Sequence, residues 1–342
     1  MSAKASKLKQ IRQPITGFDV QDFCVTGSLH IKNNMPCQDA AYAYMEDNYC
    51  LAVIADGHGS PQYFRSDRGS RFAVETFMNC VKQALTNTQF YYHDDKHPKD
   101  NTSINLVDML ANAKTSEKKR DQAIKTFCQS ILANWLNAVN SDMQKSPFTK
   151  DELLKIPEKY RKQHQDTDQK YISAYGSTLV AALLVADFCL LIQIGDGACV
   201  VFDDDYPNIS SKVTAHHRYI HDKLVSYEPI PLDDLCFLNT TTSLCDAKAN
   251  EEFHFCFLKK LPVAVFVTSD GIETCFEHEN MHKFFHRVLS DFSASHLDQA
   301  KAELSEFLPR LSANGSGDDL SLAMIYNASR FKELTQDQPN NQ

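Results

Sequence analysis

Apolar and polar positions along the chain follow two rhythms. The first is the continuous apolar run of strand length: "AAYAYM" (40–45), "YCLAVIA" (49–55), "STLVAALLVA" (177–186), "CLLIQI" (189–194), "EFHFCFL" (252–258), "VAVFVT" (263–268) and "LSLAMIY" (320–326). Runs this short and this apolar predict strands buried in a packed core. "LLVADFCLL" reads as a hairpin with Asp187 near its turn. The second rhythm has helical spacing. Ala73, Phe77, Val81 and Leu85 share one face, as do Ile124, Phe127, Ile131, Trp135 and Val139. Met281, Phe284, Val288 and Phe292 form a third stripe, and Leu297, Leu304, Leu308 and Leu311 a fourth. Strands and helices come in blocks and not in strict alternation, which predicts an α+β layering.

Two polar stretches, 87–122 and 143–174, read as exposed helix extensions or loops inside one domain. With no Pro/Gly/Ser linker and no repeat, the sequence predicts a single domain over 15–330. A flexible segment (1–14) would precede it and a disordered polar tail (331–342) would follow. The chain has 342 residues, 43% hydrophobic and 23% charged, the balance of a soluble globular protein with ample core. Its net charge of -9 argues against nucleic-acid binding, which needs a basic surface. No run reaches the roughly 18 apolar residues of a membrane span. The basic, acid-free start "MSAKASKLKQIRQ" lacks the arginines and apolar face of a transit peptide. Eleven cysteines, with no CxxC pair and many inside apolar runs, read as reduced, buried thiols of a cytoplasmic protein.

Three of the strands end in an acid beside glycine: Asp56-Gly57, Asp196-Gly197 and Asp270-Gly271. A fourth is inverted, with Asp318 and Asp319 ahead of the strand, and Asp39 precedes "AAYAYM". Packed strands bring their ends together, so these acids are expected to converge. Clustered carboxylates repel one another and are stable together only when cations neutralise them. Carboxylates, carbonyls and waters in an octahedral shell suit Mg²⁺ or Mn²⁺. One Asp-Gly is a turn; four strand-end acids are a pattern. Two such ions lower the pKa of a water and clamp an in-line displacement at phosphorus. Neither a C-x5-R phosphatase loop nor a nucleotide-binding G-x-x-x-x-G-K-[ST] loop is present. His58, beside Asp56, is placed to give a proton to a departing oxygen.

The ordered motifs "QDAA", "ADGHGS", "GSTLVAALL", "IGDGACVVF", "TSDGIE" and "GDDLSLAMI" resemble the metal-dependent protein phosphatase 2C family over most of the chain. The resemblance implies a four-layer αββα sandwich, two antiparallel sheets flanked by helices. It implies two or three Mn²⁺/Mg²⁺ ions and hydrolysis of phosphoserine and phosphothreonine in proteins, opposite a Ser/Thr kinase. By motif, Asp56 would bridge both metals with the Gly57 carbonyl on one. Asp270 and Asp318 would be core ligands, Asp39 would act through water, and Asp196 with Asp270 would hold the third ion. His58 resembles the proton donor.

The departures are Gln38 where the family has an acid, Ser60 for a glycine, and no arginine in "GSLHIKNNMPCQD" to grip phosphate. His30 or Lys32 is expected to take that place. These departures keep two alternatives open, a pseudophosphatase acting as a binding module and a phosphatase of small metabolites. "HHRYIHD", "DDDYP" and "YYHDDKH" are rich in ligand-type side chains but read as solvated turns and loops.

Overall fold

The structure, a computed structural model, describes residues 14–86, 106–112, 114–158, 171–203, 219–220, 223–224, 242–276, 278–294 and 296–336. Residues 1–13 of the expected flexible start and the motif "YYHDDKH" lie outside these residues.

The strands are β1 (Asp19–Val25), β2 (Ala40–Glu46), β3 (Tyr49–Ala55), β4 (Leu179–Val185), β5 (Phe188–Ile194), β6 (Ala198–Phe202), the short hairpin β7 (Tyr219–Ile220) and β8 (Lys223–Leu224), β9 (His254–Leu258), β10 (Ala264–Thr268) and β11 (Leu320–Tyr326). The helices are α1 (Ser28–Lys32), α2 (Ser66–Thr86), α3 (Leu106–Ala111), α4 (Glu117–Lys145), α5 (Lys150–Lys155), α6 (Asp270–Glu273), α7 (His278–Ser293), α8 (Leu297–Asn314) and α9 (Ala328–Gln336).

Two antiparallel sheets pack face to face, one ordered β1-β11-β10-β6 and the other β2-β3-β4-β5-β9. Helices cover both outer faces, so this is the expected α+β sandwich of four layers. The apolar runs lack period-2 alternation because both faces of each central strand are covered. Along β3, Leu51, Val53 and Ala55 face the helix side while Cys50, Ala52 and Ile54 face the other sheet. On β11, Leu322 and Met324 turn outward to helices, and Ala323 and Ile325 turn inward. Burying each Val, Leu, Ile or Met among these contributes ~1.5–3 kcal/mol.

The three cores differ in grain. The seam between the sheets is filled mostly by Ala, Val, Ile and Leu, with free buried Cys50, Cys189, Cys199 and Cys256 among them. The outer cores hold the large rings, Phe77, Phe127 and Trp135 under α2 and α4, and Phe266 and Phe285 under α7. Trp135 donates its indole N–H to the Gly69 carbonyl at 2.9 Å. A Cβ at Gly69 would sit 1.9 Å from the Tyr175 carbonyl oxygen, so α2 meets the turn at 172–175 backbone to backbone. Among the described residues no helix is long and apolar enough to cross a membrane.

The sequence expectations are corrected in three places. Strand β1 had no signal, because an edge strand with Asp19, Asp22 and Cys24 exposed carries no clean period. Helix α3 lies within a stretch read as exposed, yet Leu106, Val107 and Leu110 are buried against the first core. The tail expected from 331 begins as helix. Phe331 is 4% exposed in the second core, and Arg330 donates to the Leu261 carbonyl at 2.9 Å.

One buried cation ties the first helical layer together. Arg65, 2% exposed, gives its Nε to Glu152 Oε1 at 2.8 Å and its Nη2 to Oε2 at 3.0 Å. Its Nη1 donates to the Ser146 carbonyl and the Tyr175 hydroxyl, both at 2.7 Å, and the guanidinium lies 4.5 Å from the Phe148 ring centroid. Glu152 also closes a capping box with Thr149 at the start of α5.

Candidate active site

The acids predicted to converge come from both sheets. Asp56 and Gly57 follow β3, and Gln38 and Asp39 precede β2, in the five-stranded sheet. Asp270 follows β10, and Asp318 and Asp319 precede β11, in the four-stranded sheet. Asp196 sits in the β5–β6 turn, between Gly195 (φ +94°) and Gly197 (φ +103°). Left-handed backbone on both sides explains the glycine pair there. Gly57 has a different reason: a Cβ there would lie 2.5 Å from the Gln38 carbonyl and 2.8 Å from that of Ser66.

These carboxylates feel one another. Burial pushes the Asp56 carboxyl well above the ordinary range, and the neighbouring Asp39, Asp270 and Asp196 add to it. Burial pushes Asp39 up to about 7, against the Ser321 and Ser269 hydroxyls that hold its anion, with Asp319 and Asp318 repelling. Asp196 is pushed up to about 6 by burial and then by Asp270. Asp318 is raised chiefly by burial, with Asp270 among the charges that add to it. Like charges drawn together out of water call for a cation or protons.

The donor set fits a divalent cation. It offers carboxylates from five chain segments and the Gly57 backbone. It also holds a buried amide oxygen, Gln38 Oε1, with no hydrogen-bond partner. The other half of that amide is fully used, since Nε2 donates to Ser66 Oγ at 2.6 Å and to the His58 carbonyl at 3.3 Å. Gln38 therefore keeps an oxygen donor where the family has a carboxylate, at the loss of one charge.

The cluster's protonation sets a testable stability trend. In the metal-free protein Asp39 and Asp196 keep protons to about pH 7 and 6, whereas an unfolded aspartate loses its proton near 3.8. Between about pH 4 and 7 the folded state binds more protons, so this contribution to stability falls as pH rises through that window. A cation relieves the repulsion only where the acids are ionised. The rise in melting temperature on adding Mn²⁺ is therefore expected to be larger at pH 8 than at pH 5, read by calorimetry. Equal rises at both pH values would contradict it.

His58 lies beside this cluster. Its backbone N–H donates to the Gly176 carbonyl at 3.1 Å, and its ring meets Tyr63 edge-on, with centroids 4.7 Å apart. Burial lowers its pKa, opposed by Asp246 and Asp270.

The two residues expected to hold phosphate are separated by the structure. Lys32 is exposed at the end of α1. His30 is 9% exposed and turned inward, Nδ1 at 2.9 Å from Asp319 Oδ2 and Nε2 at 3.6 Å from Asp318 Oδ1. Sequence reasoning missed Asp319 as an anchor. Its two oxygens accept the backbone N–H groups of Gly27 and Gln38, each at 2.6 Å, which docks the α1 region onto β11. It also missed the hydroxyls of Ser269 and Ser321 on Asp39, whose only sequence signal is a serine one or two positions from an acid.

Fold and site together define an α+β sandwich whose two sheets bring acids from five chain segments together at their strand ends. Residues 26–309 match the profile of Protein phosphatase 2C, and the chain belongs to that metal-dependent phosphatase family. No curated protein is significantly similar to it in sequence. Among solved structures, the serine/threonine phosphatase Stp1 from Staphylococcus aureus is 12% identical, covering 92% of this chain and 96% of its own, with a TM-score of 0.45. The serine/threonine phosphatase of S. agalactiae is 12% identical, covering 90% and 99%, with a TM-score of 0.44. A C. elegans sex determining protein is 14% identical, covering 94% and 68%, with a TM-score of 0.46. The family assignment rests on the profile.

Proposed function

We propose that this protein hydrolyses phosphoserine and phosphothreonine in proteins, reversing a Ser/Thr kinase in the cytoplasm. The observation carrying this is the meeting of Asp39, Asp56, Asp196, Asp270 and Asp318 from separate strand ends as one mutually repelling group. Asp56, the Gly57 carbonyl, Asp270 and Asp318 would hold two ions, Mn²⁺ or Mg²⁺. Asp39 would reach them through water, and Asp196 with Asp270 would take a third. When bound, the ions supply a water of lowered pKa for attack at phosphorus and offset the charge of the acids.

The chain's own groups do the rest. Asp39, fixed by the Ser321 and Ser269 hydroxyls, orients water at the cleft. His58 carries the proton for the departing serine or threonine oxygen, and its lowered pKa makes its protonated ring a stronger acid. Tyr63 and the Gly176 carbonyl hold that histidine in place. Lys32, exposed on α1, draws the phosphate in place of the arginine this sequence lacks.

The test is turnover of a phosphothreonine peptide and of p-nitrophenyl phosphate with Mn²⁺, Mg²⁺ or EDTA. Cation-dependent turnover that EDTA removes, with the peptide preferred, is the expected result. Preference for the small ester would point to a metabolite phosphatase. Calorimetric Mn²⁺ binding without turnover would leave the pseudophosphatase as the better reading.

A further inference from the structure

We infer that His30 is a direct nitrogen ligand to the cation held by Asp318, its ring oriented by Asp319. This rests on the metal reading above and adds to it a donor of a different kind.

The position of His30 is fixed by contacts at long sequence range. The Gly27 N–H is held by Asp319, and the Leu29 N–H donates to the Gly317 carbonyl at 2.9 Å. The Ser28 N–H donates to Ser312 Oγ at 3.0 Å, and Ser312 Oγ donates in turn to the Asp318 carbonyl at 2.8 Å. Helix α1 is thus docked on the loop that carries both acids. The imidazole enters between them with one nitrogen beside each carboxylate, and all three side chains bring a ligand-type atom within 4.8 Å of one another.

Neither neighbour satisfies the ring. Nδ1 is sealed from solvent and has no aligned hydrogen bond, despite lying 2.9 Å from Asp319 Oδ2. Nε2 is 3.6 Å from Asp318 Oδ1, too long for a hydrogen bond. It is within the span of two donors on one ion at roughly 2.1 Å from each. An ion between Nε2 and Asp318 fixes the tautomer that carries its proton on Nδ1, the sealed nitrogen 2.9 Å from Asp319 Oδ2. A histidine that ligates a metal usually has its other nitrogen against a carboxylate, which fixes tautomer and orientation. Asp319, 2% exposed and held by two backbone N–H groups, is such a carboxylate.

Ion selectivity follows. Mg²⁺ demands hard oxygen donors, whereas Mn²⁺ and other first-row transition ions also accept imidazole. One nitrogen in an otherwise oxygen-lined cleft favours the transition ion over Mg²⁺, and removing it erases that preference without emptying the cleft.

The experiment uses the full-length protein stripped of metal and titrated calorimetrically with Mn²⁺ or Mg²⁺. The Mn²⁺-loaded form is then read by electron spin-echo modulation for directly bonded ¹⁴N. Wild type is expected to show imidazole ¹⁴N modulation, and His30→Gln to lose it. One Mn²⁺ site should weaken about 10-fold or more in that variant while Mg²⁺ affinity changes less than about twofold. If His30→Gln fails to fold, His30→Ala with added free imidazole, expected to regain Mn²⁺ affinity, gives the same readout. Mn²⁺ binding to wild type without ¹⁴N modulation, or modulation surviving in the variant, overturns the assignment and leaves the acid site standing. No Mn²⁺ binding to wild type overturns both.

Discussion

Replacing Asp56 with asparagine is expected to lower cation-dependent turnover about 10³-fold or more, while the metal-free protein melts at a higher temperature than wild type. Both halves come from the same crowding. Asp56 is buried and feels Asp39, Asp270 and Asp196 together, so its charge is strongly opposed by its neighbours when no ion is present. Asparagine keeps the shape and removes that charge, which relieves the folded state. The same removal takes away the carboxylate that would serve both ions. Losing several kcal/mol of transition-state stabilisation corresponds to 10³-fold at roughly 1.4 kcal/mol per decade. Steady-state kinetics and a melting curve on one preparation separate the two effects. Retained activity would sink the two-ion mechanism, and a lower metal-free melting temperature would refute the crowding.

Arg65→Met is expected to cost about 2–4 kcal/mol of stability, because it leaves two partly buried carboxylates and the buried Tyr175 hydroxyl without their shared cation. Glu152 would lose both of its guanidinium contacts, and Asp142 would keep only Arg68 and the Tyr175 hydroxyl. The Ser146 carbonyl would lose its side-chain donor. Arg65→Lys is expected to recover little, since an ammonium cannot fork onto a carboxylate and lie against Phe148 together. The pH dependence has a definite sign. Arg65 holds the Glu152 carboxyl down at about 2, against 4.5 for an ordinary glutamate. This contribution is complete above about pH 4.5 and is lost as pH falls through 2. The gap between wild type and variant in urea midpoint should therefore narrow in acid. A constant gap from pH 7 to 3 would show that packing, not the ion pair, dominates. Activity should fall as well, because Arg65 Nη1 holds the Tyr175 hydroxyl at 2.7 Å. The next residue is Gly176, whose carbonyl receives the His58 N–H.

The sheets were legible because strands covered on both faces must be apolar throughout, and the acids at their ends break that pattern abruptly. "VIADGHG" and "FVTSDGIE" announce both a strand and the point where it reaches the cleft. The helix stripes were legible for the same reason of one-sided or full burial; Ile124, Phe127, Ile131, Trp135 and Val139 are all at 0% exposure. Edge strand β1 was hidden because burial there varies from residue to residue. The inward turn of His30 was also hidden, for a different reason. It depends on α1 docking against the loop before β11, through contacts such as the one from Gly27 to Asp319, 292 residues apart. Nothing in "GSLHIK" distinguishes a histidine facing substrate from one facing acid. The same holds for Gln38, whose amide orientation is set by Ser66 and the His58 carbonyl, both remote in sequence.

The seam between the sheets has a consequence for how this protein would age. Cys50, Cys189, Cys199 and Cys256 come from four strands of two sheets, all at 0–1% exposure, with burial raising every one of their thiol pKa values. Thiols in that state neither ionise nor meet an alkylating reagent while the sheets remain together. Their labelling rate is therefore a clock on the parting of the sheets, set by the free energy of that opening and not by the chemistry of sulfur.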